Sequence, residues 1–136
     1  MYPPSVERFV NDHRLARATH ITGTGFGDLQ SCFVGADLEL RVTSDRGRWL
    51  LEVRHSSDDD WLPATQLLRF LKGEPPAAPP VAPVDIEDLI AGLELAYEDV
   101  VLSLRDPTRK AEAYEYERQV SAAFAAALFG ANRSNS

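Results

Sequence analysis

The chain has 136 residues, of which 44% are hydrophobic and 26% are charged, and its formal net charge at pH 7 is −7. A chain of this length fits one domain that buries roughly two-thirds of its unfolded surface. No apolar run approaches the roughly 18 residues of a membrane-spanning helix, and the N-terminal MYPPSVERFV lacks the layout of a secretion signal. We therefore expect a cytoplasmic protein that does not bind membranes.

The acidic residues are concentrated in one part of the chain. Residues 56–104 contain ten acidic and two basic residues, so this segment has a charge of −8 and the rest of the chain has +1. Such a field repels nucleic acid and attracts basic proteins. We expect no nucleic-acid binding.

The N-terminal part of the chain predicts a helix, a loop and a strand. The helix is predicted over 5–18, with Ser5 as its N-cap, because two prolines precede an apolar stripe at helical spacing. The following HITGTGFGD is rich in glycine and polar residues and predicts a loop. A strand is predicted over 29–35.

The segment LELRVTSDRGRWLLEV, residues 38–53, alternates apolar and polar residues on both sides of a turn, which predicts a β-hairpin. Its apolar faces match when the loop has an even number of residues. A four-residue loop, Ser44–Gly47, with Gly47 at positive φ, satisfies this condition. The resulting register pairs Val42 with Trp49, Leu40 with Leu51 and Leu38 with Val53.

The second half predicts helices and a connector. A short helix is predicted over 63–72, and EPPAAPPVAP, residues 74–83, predicts an extended proline-rich connector inside the domain. Asp85 is the predicted N-cap of a third helix, whose apolar stripe continues to Leu104.

Asp106 and Pro107 predict the cap and the first residue of a last helix over 107–129. Its predicted core stripe is Ala113, Tyr116, Val120, Ala123, Phe124, Ala127 and Leu128. Residues 131–136 are predicted to form a disordered tail.

These elements predict one α+β domain over residues 1–136. It has an N-terminal helix, a three-stranded antiparallel meander, a short helix, the connector, and two C-terminal helices packed on the sheet.

No pattern in the sequence predicts catalysis, a metal site or a cofactor. The glycines of segment 23–27 lack the strand–helix context and the lysine of a phosphate loop, so a plain loop or a partner-contact loop remain as interpretations. The run 58–60 lacks the spaced oxygen ligands of a calcium loop. The lone Cys32 excludes an internal disulfide and argues against a zinc site. We expect a protein that is not an enzyme.

The third helix presents acidic residues opposite its apolar stripe, and Leu95 and Leu102 lie in the middle of that acidic side. Either this helix is contacted on two sides, or the leucines form an apolar pair inside an acidic rim that binds a basic protein. The candidate partner-binding residues are Asp58, Asp59, Asp60, Glu87, Glu94, Leu95, Glu98, Asp99 and Leu102.

Residues 31–73 resemble a family of small bacterial immunity proteins encoded beside polymorphic toxins. The family pattern has an arginine-bearing strand, a DRGQ-type turn, an aromatic residue, an acid-ended strand, a tryptophan and a short helix. Arg48 departs from the glutamine of the turn. The matching positions are Arg41, Asp45, Arg46, Gly47, Trp49, Glu52, Trp61, Leu68 and Leu71.

The resemblance implies a protein that binds a cognate toxin and blocks it without catalysis. The leading hypothesis is therefore stoichiometric occlusion of a toxin with a basic surface. The alternative is a small acidic secretion chaperone or adaptor, which should dimerise and accept an unfolded segment. The sequence leaves the oligomeric state open.

Overall fold

A computed structural model describes residues 2–22, 29–45, 47–55, 58, 60–76 and 85–134 of the chain. The described residues form a five-stranded antiparallel sheet and five helices, which confirms the predicted α+β class. The elements in chain order are α1 (Pro4–Asp12), β1 (Ala16–Thr22), β2 (Leu29–Val34), β3 (Glu39–Asp45), β4 (Arg48–Arg54), β5 (Leu62–Pro63), α2 (Ala64–Leu71), α3 (Ile86–Leu95), α4 (Tyr97–Arg105) and α5 (Pro107–Ser134).

The sheet is a meander in which each strand pairs with its neighbour in sequence, in the order β1-β2-β3-β4-β5. The predicted three-stranded meander therefore lacked one strand at each end. β1 occupies the end of the predicted first helix and the start of the predicted loop. The helix ends early because Arg14 adopts a left-handed conformation, with φ of 56°, which a helix does not continue through. Residues 23–28 of the predicted loop lie outside the described residues.

The β3–β4 hairpin differs from the predicted register by two residues. Val42 pairs with Leu51, and pairing continues to Asp45 with Arg48, so two residues rather than four connect the strands. Two-residue connections are the commonest in β-hairpins. Because the shift is even, every side chain stays on its predicted face. Gly47 has the predicted positive φ, at 80°.

The core lies between the inner face of the sheet and the helices. Leu40 and Val42 of β3 and Leu51 and Val53 of β4 are at most 3% exposed, and burial of each such side chain stabilises the fold by about 1.5–3 kcal/mol. Four helices contribute side chains that are at most 1% exposed: Val6 and Phe9 from α1, Leu67 from α2, Leu93 from α3, and Val100 and Leu104 from α4.

The predicted third helix begins as expected but is divided in two, so three helices rather than two follow residue 85. Residues 77–83 of the predicted connector lie outside the described residues. Asp85 is its N-cap, because Oδ1 accepts the backbone N–H of Glu87 at 3.0 Å. Ala96, with φ of −102° and ψ of 13°, separates α3 from α4. The Val100 N–H still donates to the Ala96 carbonyl at 2.8 Å, so the break is one residue long.

The last helix is capped as predicted and is longer than predicted. Asp106 Oδ2 accepts the backbone N–H of Arg109 at 3.2 Å, and Pro107 is the first helical residue. α5 extends to Ser134 rather than 129, and residues 135 and 136 lie outside the described part. Its buried stripe ends at Val120, whereas Phe124 and Leu128 are 45% and 53% exposed. None of the described helices has a stretch long and apolar enough to cross a bilayer.

The turn at Gly47 gives a test of the hairpin. A Cβ at this position would meet no atom within 4 Å, so Gly47→Ala should destabilise the protein only through its positive φ, by about 1 kcal/mol. Gly47→Asn should cost less, because asparagine tolerates this conformation. Urea unfolding of both variants measures the difference, and equal stability of the alanine variant and the parent would contradict the assigned turn.

Candidate functional site

The predicted partner-binding residues occupy two separate parts of the structure. One group lies at the junction of α3 and α4, and the other lies in the connection between β4 and β5, beside α5. Asp59 lies outside the described residues.

The first group forms a surface that we name the acidic ridge, defined as Glu94, Leu95, Glu98, Asp99 and Leu102. Leu95 is 92% exposed and Leu102 is 51% exposed, and all three acidic residues are exposed as well. Spacings of three and four residues place the α4 members on one helix face. The ridge therefore combines apolar side chains with carboxylates on one accessible surface.

A groove of about 390 Å³ runs beside the acidic ridge, and His13 and Tyr97 line it. His13 Nε2 lies 2.9 Å from Glu94 Oε2, and the His13 ring stacks on Tyr97 with 3.7 Å between centroids. Burial, and then the negative charges of Asp37 and Glu94, raise the pKa of the Tyr97 hydroxyl. No pattern in the sequence predicts this contact, because His13 and Glu94 are 81 residues apart.

Glu87 lies apart from the rest of the ridge. It is exposed in the first turn of α3, about 10 Å along the helix axis from Glu94. A carboxylate at this place interacts favourably with the positive end of the helix dipole. This interaction accounts for an acidic residue here without any role in binding a partner protein.

The acidic residues between β4 and β5 anchor the connection to α5. Asp58 Oδ1 accepts a hydrogen bond from Lys110 Nζ at 2.9 Å, and the Asp58 side chain is only 13% exposed. The hydroxyl of Tyr114 donates to the Asp60 carbonyl oxygen at 2.6 Å. Asp58 is therefore held within the fold through its carboxylate, whereas Asp60 is held through its backbone and its side chain stays exposed.

A second polar cluster lies on the outer face of the sheet. Arg41 forms an ion pair with Glu52 at 2.6 Å, and Arg54 forms one with Glu39 at the same distance. The guanidinium carbons of the two arginines lie 4.8 and 4.2 Å from the ring centroid of Trp61. Each such cation–π contact is worth about 0.5–1 kcal/mol at an exposed site. Arg41 therefore contacts both Glu52 and Trp61, and all three are positions of the family resemblance.

Glu117 of α5 lies beside this cluster. Burial, and then the charge of Glu52, raises the pKa of Glu117, while a hydrogen bond from Ser121 Oγ to Oε1 at 3.0 Å opposes the shift. Its Oε2 is buried and has no hydrogen-bond partner among the described residues. Among all the residues that the structure describes, no three His, Cys, Asp or Glu side chains are grouped in a way that could hold a metal ion.

Tyr114 gives a test of the contact between α5 and the β4–β5 connection. Burial, aided by the charges of Asp58 and Asp60, raises the pKa of Tyr114 to about 12, against an ordinary value near 10. Because the folded state holds this proton more tightly, the stabilisation is complete below about pH 10 and is lost as the pH rises through about 12.

Tyr114→Phe should therefore lose less stability than the parent between about pH 10 and 12. The free energy of unfolding, measured by denaturant titration across this range, gives the two slopes. The variant is less stable at pH 7 because it lacks one hydrogen bond, so the slopes rather than the absolute values are compared. Parallel slopes would contradict the assignment.

Comparison with protein-family models gives no match, and searches of curated proteins and of solved structures find no similar chain.

Proposed function

We propose that the protein is a non-catalytic binding protein that neutralises a cognate bacterial toxin by covering a basic surface of that toxin with the acidic ridge. The observation that supports this most is the 92% exposure of Leu95 between exposed carboxylates. Burial of one such leucine by a partner contributes about 1.5–3 kcal/mol, which makes Leu95 a suitable centre for an interface.

The charges of the acidic ridge support a basic partner. Glu98 and Asp99 form no ion pair with another described residue, whereas Glu94 is already paired with His13. Unpaired carboxylates attract a basic surface at long range and raise the association rate. The resemblance of residues 31–73 to immunity proteins supplies the toxin as the class of partner.

A second candidate is a secretion chaperone or adaptor. Phe124 and Leu128 of α5 are 45% and 53% exposed, and they provide apolar surface that a chaperone dimer would cover. A chaperone of this kind would bind an unfolded segment, whereas an immunity protein would bind a folded toxin.

The experiment is co-expression with a toxin domain encoded beside this gene, followed by binding measurements on the purified pair. Wild type should protect the cell, and Leu95→Asp should abolish protection because it places a charge at the centre of the interface. Glu98→Lys should slow association about tenfold and weaken its dependence on salt.

Glu112→Lys is the matched control, since it makes the same charge change at an exposed position of α5. It should protect like wild type. Failure of wild type to bind or protect would overturn the toxin assignment. Full protection by Leu95→Asp would instead place the interface elsewhere.

A further inference from the structure

β1 is an edge strand of the sheet that the described residues form. It pairs with β2 on one side, and no strand in the described part of the chain pairs with its other side. Residues 16–19 are all exposed. Alternate N–H and C=O groups of a strand point to each side, so the outer side of β1 presents donors and acceptors at the spacing of an extended chain.

A groove of about 330 Å³ lies beside this edge, between α1 and the first two strands. Its apolar lining residues are Tyr2, Val6, Val10 and Phe33, and its polar ones are Glu7, Asn11 and Arg17. Arg17 is paired with Phe33 across the two strands, so both lie on the inner face of the sheet. A strand added to β1 would direct every second side chain to this face, where the groove lies.

We propose that the outer edge of β1 and this groove bind an extended segment of a partner protein, which adds to the sheet as a sixth strand. The row of backbone groups selects an extended chain rather than a helix. The apolar lining selects apolar residues at alternate positions, and Arg17 selects a carboxylate among them. This site is formed by other residues than the acidic ridge, and the inference goes beyond the proposed function.

The irregularity of β1 argues that this edge pairs with one particular kind of segment and not with every exposed strand. The register with β2 shifts between Arg17 and Thr19, which leaves Thr19–Thr22 as the regular part of the strand. A bulge and an inward-pointing charge are features that discourage unselected pairing at sheet edges. An incoming segment compensates the inward-pointing charge of Arg17 only when it brings an acidic residue to that side chain.

Charge also favours a different protein over a second copy of this chain. β1 has the sequence ARATHIT, which contains a basic residue and no acidic one. A second β1 added to the edge would therefore supply no carboxylate to Arg17. A segment from another protein can supply one.

The test uses a phage-displayed library of short random peptides, selected on the full-length protein, followed by affinity measurements on synthetic versions. Selected peptides should alternate apolar and other residues and contain a carboxylate. N-methylation of single peptide amides should weaken binding about tenfold or more at every second position and little at the positions between.

Arg17→Glu should weaken binding of the acidic peptide about tenfold, and a peptide with lysine in place of the acid should restore it. Arg8→Glu, an equal charge change at an exposed position of α1, is the control and should leave affinity unchanged. Leu95→Asp should also leave it unchanged, so the two sites are tested separately.

Three results would overturn the proposal. One is a library that yields no binding peptide, and another is a peptide whose affinity does not follow the alternation of N-methylated amides. The third is a dimer in sedimentation that Arg17→Glu alters, which would make a second copy the occupant of the edge.

Discussion

The antiparallel pairing of β3 with β4 is the constraint on which the rest of the structure depends. These strands occupy the third and fourth positions of the five-stranded sheet, and their inner side chains, Leu40, Val42, Leu51 and Val53, are at most 3% exposed. A slip of one residue would turn this apolar set to the opposite face. The packing of the helices on the inner face therefore requires the observed assignment of side chains to the two faces. The same holds for the pairing of arginines with glutamates on the outer face.

Features with a local cause could be predicted from the sequence, and features with a distant cause could not. Asp85 and Asp106 were found as caps because each bonds a backbone group two or three residues ahead. The inner and outer faces of the hairpin strands could also be predicted, because they follow from the local alternation of apolar and polar residues. This alternation repeats every two residues, so it cannot distinguish two registers that differ by two residues. By contrast, neither proline nor glycine marks the break at Ala96.

The candidate site shows the same division. Helical spacing predicted that Leu95 and the acids around it share a face opposite the core, and the structure leaves them exposed. The run 58–60 was added to the site for its charge alone. Asp58 bonds to Lys110, which is 52 residues away, and Glu94 bonds to His13 across 81 residues. No local pattern encodes such contacts.

The two proposed surfaces differ in how binding would change the protein. The acidic ridge stands on α3 and α4, which are fixed by Leu93, Val100 and Leu104, each at most 1% exposed. A partner at the ridge meets a surface that is already ordered, so little ordering entropy opposes binding. β1 is held by β2 alone among the described strands, so an added strand would give it hydrogen bonds on both sides. Because a ligand of the folded state stabilises that state, binding at the edge should stabilise β1 most, whereas binding at the ridge should act on the fold as a whole.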